Sequence, residues 1–149
     1  MSDKTPAPAL PRNNTTPPEV DATLTIMGHV RSPLTDKATA PKSAEEGAPE
    51  AWLELDAAYA PALLGLEVGS RILVVTWLHL ADRSVLQCHP RAERHRPLRG
   101  VFATRSPDRP NPIGLHEVTL LEIAAPARLR VHPLEAIDGT PVVDVKKVG

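Results

Sequence analysis

The chain has 149 residues, with 17 Lys+Arg against 18 Asp+Glu, a formal net charge of −1, 17 prolines and one cysteine. That length is enough for one domain with a real core, and the charge balance excludes a globally basic nucleic-acid binder, so any anion site must be local. Cys88 has no second cysteine to bond; it is compatible with a reducing compartment and is a poor candidate nucleophile.

Residues 1–21 carry Pro6, Pro8, Pro11, Pro17 and Pro18 among polar neighbours. They leave little to bury and remove backbone donors, and they read as a disordered tail ahead of a single domain over 22–149. They contain no apolar run of signal-peptide length, and no stretch of ~18 apolar residues follows. A soluble, cytoplasmic protein that does not engage a membrane is expected.

After the tail the chain reads as short strands broken by proline and glycine. "ATLTIMGHVR" is β-rich and ends at Ser32-Pro33, where proline discourages further pairing. "AWLELD" alternates, with Leu53 and Leu55 on one face and Glu54 and Asp56 on the other. "AAYAPALLGL" suits one or two helical turns closed by Gly65. "SRILVVTWLHL" is nearly all apolar and β-branched, the composition of a strand buried on both faces. "GLHEVTLLEI" and "ARLRVHPLEAI" predict two more strands, the second with Leu129 and Val131 opposite Arg128, Arg130 and His132. "VVDVKKV" predicts the last. Six or seven short strands with almost no helix point to an all-β barrel or sandwich. Without a Gly-rich strand-turn-helix unit there is no place for a Rossmann-type cofactor site. His29, His79, His89, His95, His116 and His132 are scattered without ligand spacing, so no metal site is expected.

The segment "GVFATRSPDRPNPIG" is the most informative. Pro107, Pro110 and Pro112 fix three φ angles and remove three donors, which pre-sets an extended conformation. Arg105 and Arg109 then project from a stiff support suited to bidentate capture of a carboxylate or phosphate, and Ser106 and Asn111 add donors and acceptors. A proline-stiffened surface loop with solvent-screened ion pairs is the competing interpretation. In "AIDGTPVVDV" Asp138 stands on an Asp-Gly turn, either capping its own backbone or supplying the acidic side of a bipolar pocket. Between Arg91 and Arg109 there are six arginines against Glu93 and Asp108, a local basic patch for phosphates or a solvated loop. Trp52 and Trp77 could stack bases, but both sit in strand patterns and are assigned to the core.

The strings "IMGHVRSP", "WLH", "GVFATRSPDRPNPIG" and "DGTPVVDV" occur in the order and approximate spacing of the TsaA/TrmO-like proteins, and the resemblance covers residues 24–146. It implies a single-sheet antiparallel β-barrel, usually a homodimer, that binds S-adenosylmethionine without a Rossmann domain. It also implies methyl transfer to the exocyclic nitrogen of threonylcarbamoyl-adenosine in the tRNA anticodon loop. Carried over motif by motif, the cofactor contacts fall on Pro41, Lys42 and Ser43, on His79 and Leu80, on Arg105, on Leu115, and on Asp138, Gly139, Thr140 and Pro141. The resemblance leaves the base open between His79, otherwise a strand-end histidine bonded to backbone, and Asp138. Arg91, Arg94, Arg96, Arg99 and Arg109 are the candidate RNA contacts. Lys42 and Ser43 replace an Arg-Gln pair, Leu80 replaces a glutamine, and Lys147-Val148 stands where the family has Pro-Tyr. These departures keep two alternatives open: methyl transfer to a different RNA or small molecule, and a non-catalytic S-adenosylmethionine-binding module.

Overall fold

The computed structural model describes residues 22–38, 40, 41, 43–90 and 93–149. The segment 1–21, Lys42 and Arg91 lie outside the described residues.

Alternating apolar residues build each main strand. β1 (Gly28–Arg31), β2 (Ala51–Leu55), β3 (Arg71–Trp77), β6 (Ile113–Ala124), β7 (Arg128–His132) and β8 (Pro141–Lys147) close into an antiparallel barrel in the order β1-β2-β7-β6-β3-β8. β4 (Gln87–Cys88) and β5 (Arg99–Gly100) pair as a separate two-stranded arm. Closure leaves one enclosed face, so every second residue points inward. Leu53 lies opposite Val30 on one side and Leu129 on the other; all three are buried. Ile72, Val74, Val118, Leu120 and Leu134 continue the same core. Register shifts at Val75/Thr76 against β8 and at Leu120/Glu122 against β7 mark irregularities in the ladder, the kind of device that lets a sheet bend toward closure.

Two expectations from the sequence are corrected here. β3 is buried on one face only: Ile72, Val74 and Thr76 are enclosed, whereas Leu73, Val75 and Trp77 stand half-buried on the outside. Apolar composition cannot distinguish a strand between two layers from a barrel strand whose outer face is merely crowded. Trp52 and Trp77 also belong to that outer surface, each covered by a guanidinium, Arg128 at 4.2 Å and Arg83 at 5.0 Å from the ring centroid, a cation–π arrangement that shields the ring without burying it in the core. The expected helical turns form as a 3-10 segment, Ala57–Leu63, capped by Asp56, whose side chain accepts from the Ala58 N–H.

Close approach of β1 and β2 explains Gly28. A Cβ there would meet the Glu54 carbonyl oxygen and lie 2.6 Å from the Leu55 Cα, both backbone atoms that cannot swing away. Gly28→Ala is expected to lower stability by about 1–3 kcal/mol, the cost of overpacking. The check is the urea unfolding midpoint.

Candidate functional site

Antiparallel closure brings the C-terminal ends of β1, β3 and β7 to the same rim as the N-terminal ends of β2, β6 and β8. The segments after β1 and β3, the β4–β5 arm, the proline loop before β6 and the stretch after β7 surround a groove that opens at that rim and continues down the outer face of β3 and β6 past Leu73, Glu117 and Arg71. It measures about 2090 Å³, above the roughly 300–1,000 Å³ typical of a small-molecule cleft.

The proline loop is ordered by one of its own side chains. Arg109 Nε donates to the Ser106 carbonyl at 2.7 Å, and its Nη2 donates to the carbonyls of Val101 at 2.8 Å and Thr104 at 2.7 Å. With prolines at 107, 110 and 112 the segment is short of N–H donors, and the guanidinium supplies them. The sequence places Arg109 among the RNA contacts; the structure shows its Nε and Nη2 spent inside the loop. Lateral ties fix the loop to the segment after β3: Leu78 N–H donates to the Pro112 carbonyl, Arg83 Nε to the Pro110 carbonyl and Arg83 Nη2 to Asn111 Oδ1. Lys37 reaches both Leu80 O and Asp108. Asn111 Oδ1, expected to read a ligand, thus accepts from Arg83.

Arg105 leaves this support toward the groove, where its Nη2 donates to the Leu115 carbonyl at 2.9 Å. Leu115, Pro41, Ser43, His79, Leu80 and Thr140 line the same groove, as do Arg94, Arg96 and Arg99. His79 and Leu80 are both exposed. Arg96 is paired with Glu93 at 2.8 Å, whereas Arg94 and Arg99 are exposed along the arm. Asp138, Gly139 and Pro141 are not part of the groove wall. Asp138 Oδ1 accepts from the Ser32 N–H at 3.0 Å, and the Asp138 and Gly139 N–H groups bond to Leu34 and Val30. The turn, with Gly139 at φ +84°, thereby holds the exit of β1, and Thr140 is its member at the groove.

The sequence reading did not single out the polar line in the barrel wall. Buried His116 of β6 has Nδ1 2.6 Å from Glu135 Oε1 and Nε2 2.7 Å from Thr76 Oγ1. A neutral ring with its proton on Nδ1 satisfies all three groups: it donates to the carboxylate and accepts from the hydroxyl. Gly114 makes the space, since a Cβ there would run into Thr76 Oγ1 and stand 2.7 Å from His116 Nε2. Burial pushes the Glu135 carboxyl up, but the hydrogen bond from His116, helped by the charge of Arg105, prevails and holds it below its ordinary value of 4.5. A histidine in phase with Gly114, Val118 and Leu120 on the inward face of "IGLHEVTL" was the available sequence signal. Phe102 was also passed over; it is 97% exposed although the adjoining Val101 is buried.

Arg109→Gln is expected to raise amide hydrogen exchange across residues 101–108 at least ten-fold while the barrel strands keep their protection, as read by mass spectrometry. Because folding depresses the Glu135 pKa, its stabilising contribution is complete above the unfolded value and is lost as pH falls through the folded one. Thermal unfolding temperature is accordingly expected to drop below about pH 4.5, and Glu135→Gln should flatten that part of the profile.

Residues 29–148 match the family described as the tRNA-methyltransferase O N-terminal domain. Among curated relatives, a probable S-adenosyl-L-methionine-binding protein of Methanothermobacter thermautotrophicus is 46% identical over 120 residues, 80% of this chain and 85% of that protein. An S-adenosyl-L-methionine-binding protein of Archaeoglobus fulgidus is 40% identical over 121 residues, 81% of this chain and 85% of its own length. The crystal structure of TrmO from Pseudomonas aeruginosa superposes with a TM-score of 0.68 at 31% identity, covering 87% of this chain and 57% of that one. The chain therefore spans a little over half the length of that solved structure. With a six-stranded closed barrel, the proline loop intact and a match extending over nearly all of the described domain, the chain belongs to the tRNA-methyltransferase O N-terminal domain family.

Proposed function

We propose that this chain binds S-adenosylmethionine at the barrel rim and transfers its methyl group to tRNA, at the exocyclic nitrogen of threonylcarbamoyl-adenosine in the anticodon loop. The observation that carries this reading is Arg105, presented by a loop that Arg109 has already ordered, at a groove whose wall also carries the Glu135 carboxylate. The Arg105 cation beside apolar Leu78, Leu115 and Ile137 suits the donor's carboxylate and its apolar parts. Arg105 would take its carboxylate, the apolar side chains its adenine and aliphatic parts, and backbone carbonyls its cationic groups. When bound, S-adenosylmethionine supplies an already activated methyl group. What remains for the protein is to position the two reactants in line and to exclude water, and pre-ordered loops lower the entropic cost of doing so.

The RNA side of the reading rests on the groove's size, on Arg94 and Arg99 along its arm, and on Phe102, an exposed ring of the kind on which an unpaired base stacks. A homodimer in the cytoplasm is part of the same proposal. The curated relatives are named as S-adenosyl-L-methionine-binding proteins, and a binding protein without transferase activity is the second reading. Transfer of labelled methyl from S-adenosylmethionine to tRNA would exclude it. Nucleoside mass spectrometry of tRNA from a deletion strain tests the acceptor: unchanged methylation of threonylcarbamoyl-adenosine would redirect the reaction to a different RNA or a small molecule.

In calorimetric titration, Arg105→Ala is expected to weaken S-adenosylmethionine binding by about 1.5–3 kcal/mol, the scale of a hydrogen bond to a charged group. Replacing Arg94 and Arg99 together by alanine should leave that affinity intact and reduce the salt slope of tRNA binding by about one to two units.

A further inference from the structure

Thr76, His116 and Glu135 form a line whose distances, 2.7 Å and 2.6 Å, match the nucleophile–base–acid order of a hydrolytic triad. Burial rules that role out, because Thr76 is 0% exposed and no substrate carbonyl can reach its hydroxyl. The accessible end of the line is the opposite one. Glu135 keeps 21% of its side chain exposed, against 5% for His116, and it faces the groove on the side where Arg105 acts on it.

We infer that Glu135 is the catalytic base of this site, the group that accepts the proton of the nitrogen being methylated, and that His116 is its positioning residue. The inference rests on the methyl-transfer reading above. The two other candidate bases are less well placed: Asp138 commits Oδ1 to the Ser32 N–H outside the groove wall, and His79 lines the groove but is exposed. Glu135 commits Oε1 to His116, which fixes the carboxylate's orientation, and Thr76 fixes the ring in turn. In the transfer, the nitrogen lone pair forms the new N–C bond and the electrons of the broken S–C bond leave with sulfur. The N–H proton passes to Glu135 and from there to water. A nitrogen that is nearly neutral at the start becomes strongly acidic as the bond forms, so a carboxylate is a sufficient acceptor. The titratable and charged groups facing Glu135 are His116 from β6 and Arg105 from the proline loop.

Three measurements on the 149-residue chain test this. Glu135→Gln is expected to slow single-turnover methyl transfer about 100-fold or more and to abolish the acid limb of its pH profile, while S-adenosylmethionine affinity stays within about three-fold by calorimetry. His116→Phe removes the donor and is expected to move that limb to higher pH; His116→Asn, which keeps an N–H near the Nδ1 position, should bring it back. Carbon-13 NMR of the glutamate carboxyls reads the same brace without turnover: the Glu135 resonance should titrate higher in His116→Phe and recover in His116→Asn. A Glu135→Gln protein with wild-type rate and acid limb overturns the assignment. So does one whose rate loss is matched by lost cofactor affinity, which would make Glu135 an anchor instead. A wild-type protein that transfers no methyl group removes the methyl-transfer reading and the base assignment together, an outcome distinct from both.

Discussion

The guanidinium of Arg109 reaches three backbone carbonyls, those of Val101, Thr104 and Ser106, in a segment from which prolines have removed the usual donors. Backbone carbonyls that lose contact with water must find partners, and without N–H groups nearby a side chain has to supply them. Arg109 does so from within the loop, so its order requires no strand pairing. The loop in turn anchors the segment after β3 through Pro112, Pro110 and Asn111, and the segment after β1 through Asp108 and Lys37. Three stretches distant in sequence become one wall because one cation is held inside it.

The barrel contributes the opposite side. Its closed sheet leaves a single enclosed face, which is apolar through most of its depth and becomes polar at one rim, where Thr76, His116 and Glu135 line up. Burying a hydroxyl, an imidazole and most of a carboxylate is costly unless each finds a partner, and here the chain of bonds supplies them. Gly114 is where the two halves meet: it ends the proline string and, by lacking a side chain, leaves room for the Thr76–His116 bond. The family motif therefore serves two physical purposes in one run of residues, bracing the loop and admitting a polar line into the core.

Electrostatics at the rim follow from these placements more than from composition. A chain of net charge −1 gathers Arg94, Arg99 and Arg105 around one groove, sets Glu135 among them, and pairs other charges on the outside of the barrel, such as Arg130 with Glu50 and Glu122. Arg128 and Arg83 lie over Trp52 and Trp77, so the large aromatic surface of the barrel's exterior is covered by cations. Phe102 is left bare by contrast.

What the sequence determined by itself is what depends on local order. Alternation in "AWLEL" and "ARLRVH" fixed which residues face inward, proline and glycine fixed where strands stop, and the density of short strands without helices fixed an all-β fold. It also located the proline loop and Arg105. Tertiary structure alone decided which arginine faces outward and which is spent inside: Arg105 and Arg109 are equivalent in composition, and only the path of the loop distinguishes a groove contact from an internal brace. The same holds for Asp138, a turn residue tied to Ser32, and for Glu135, an unremarked acid in the stretch that follows β7. Glu135 became the groove's carboxylate because β6 and β7 pair in a register that brings His116 to it across 19 residues. Side-chain type limits what a residue can do, but its partners are set by long-range pairing, which a linear pattern does not encode.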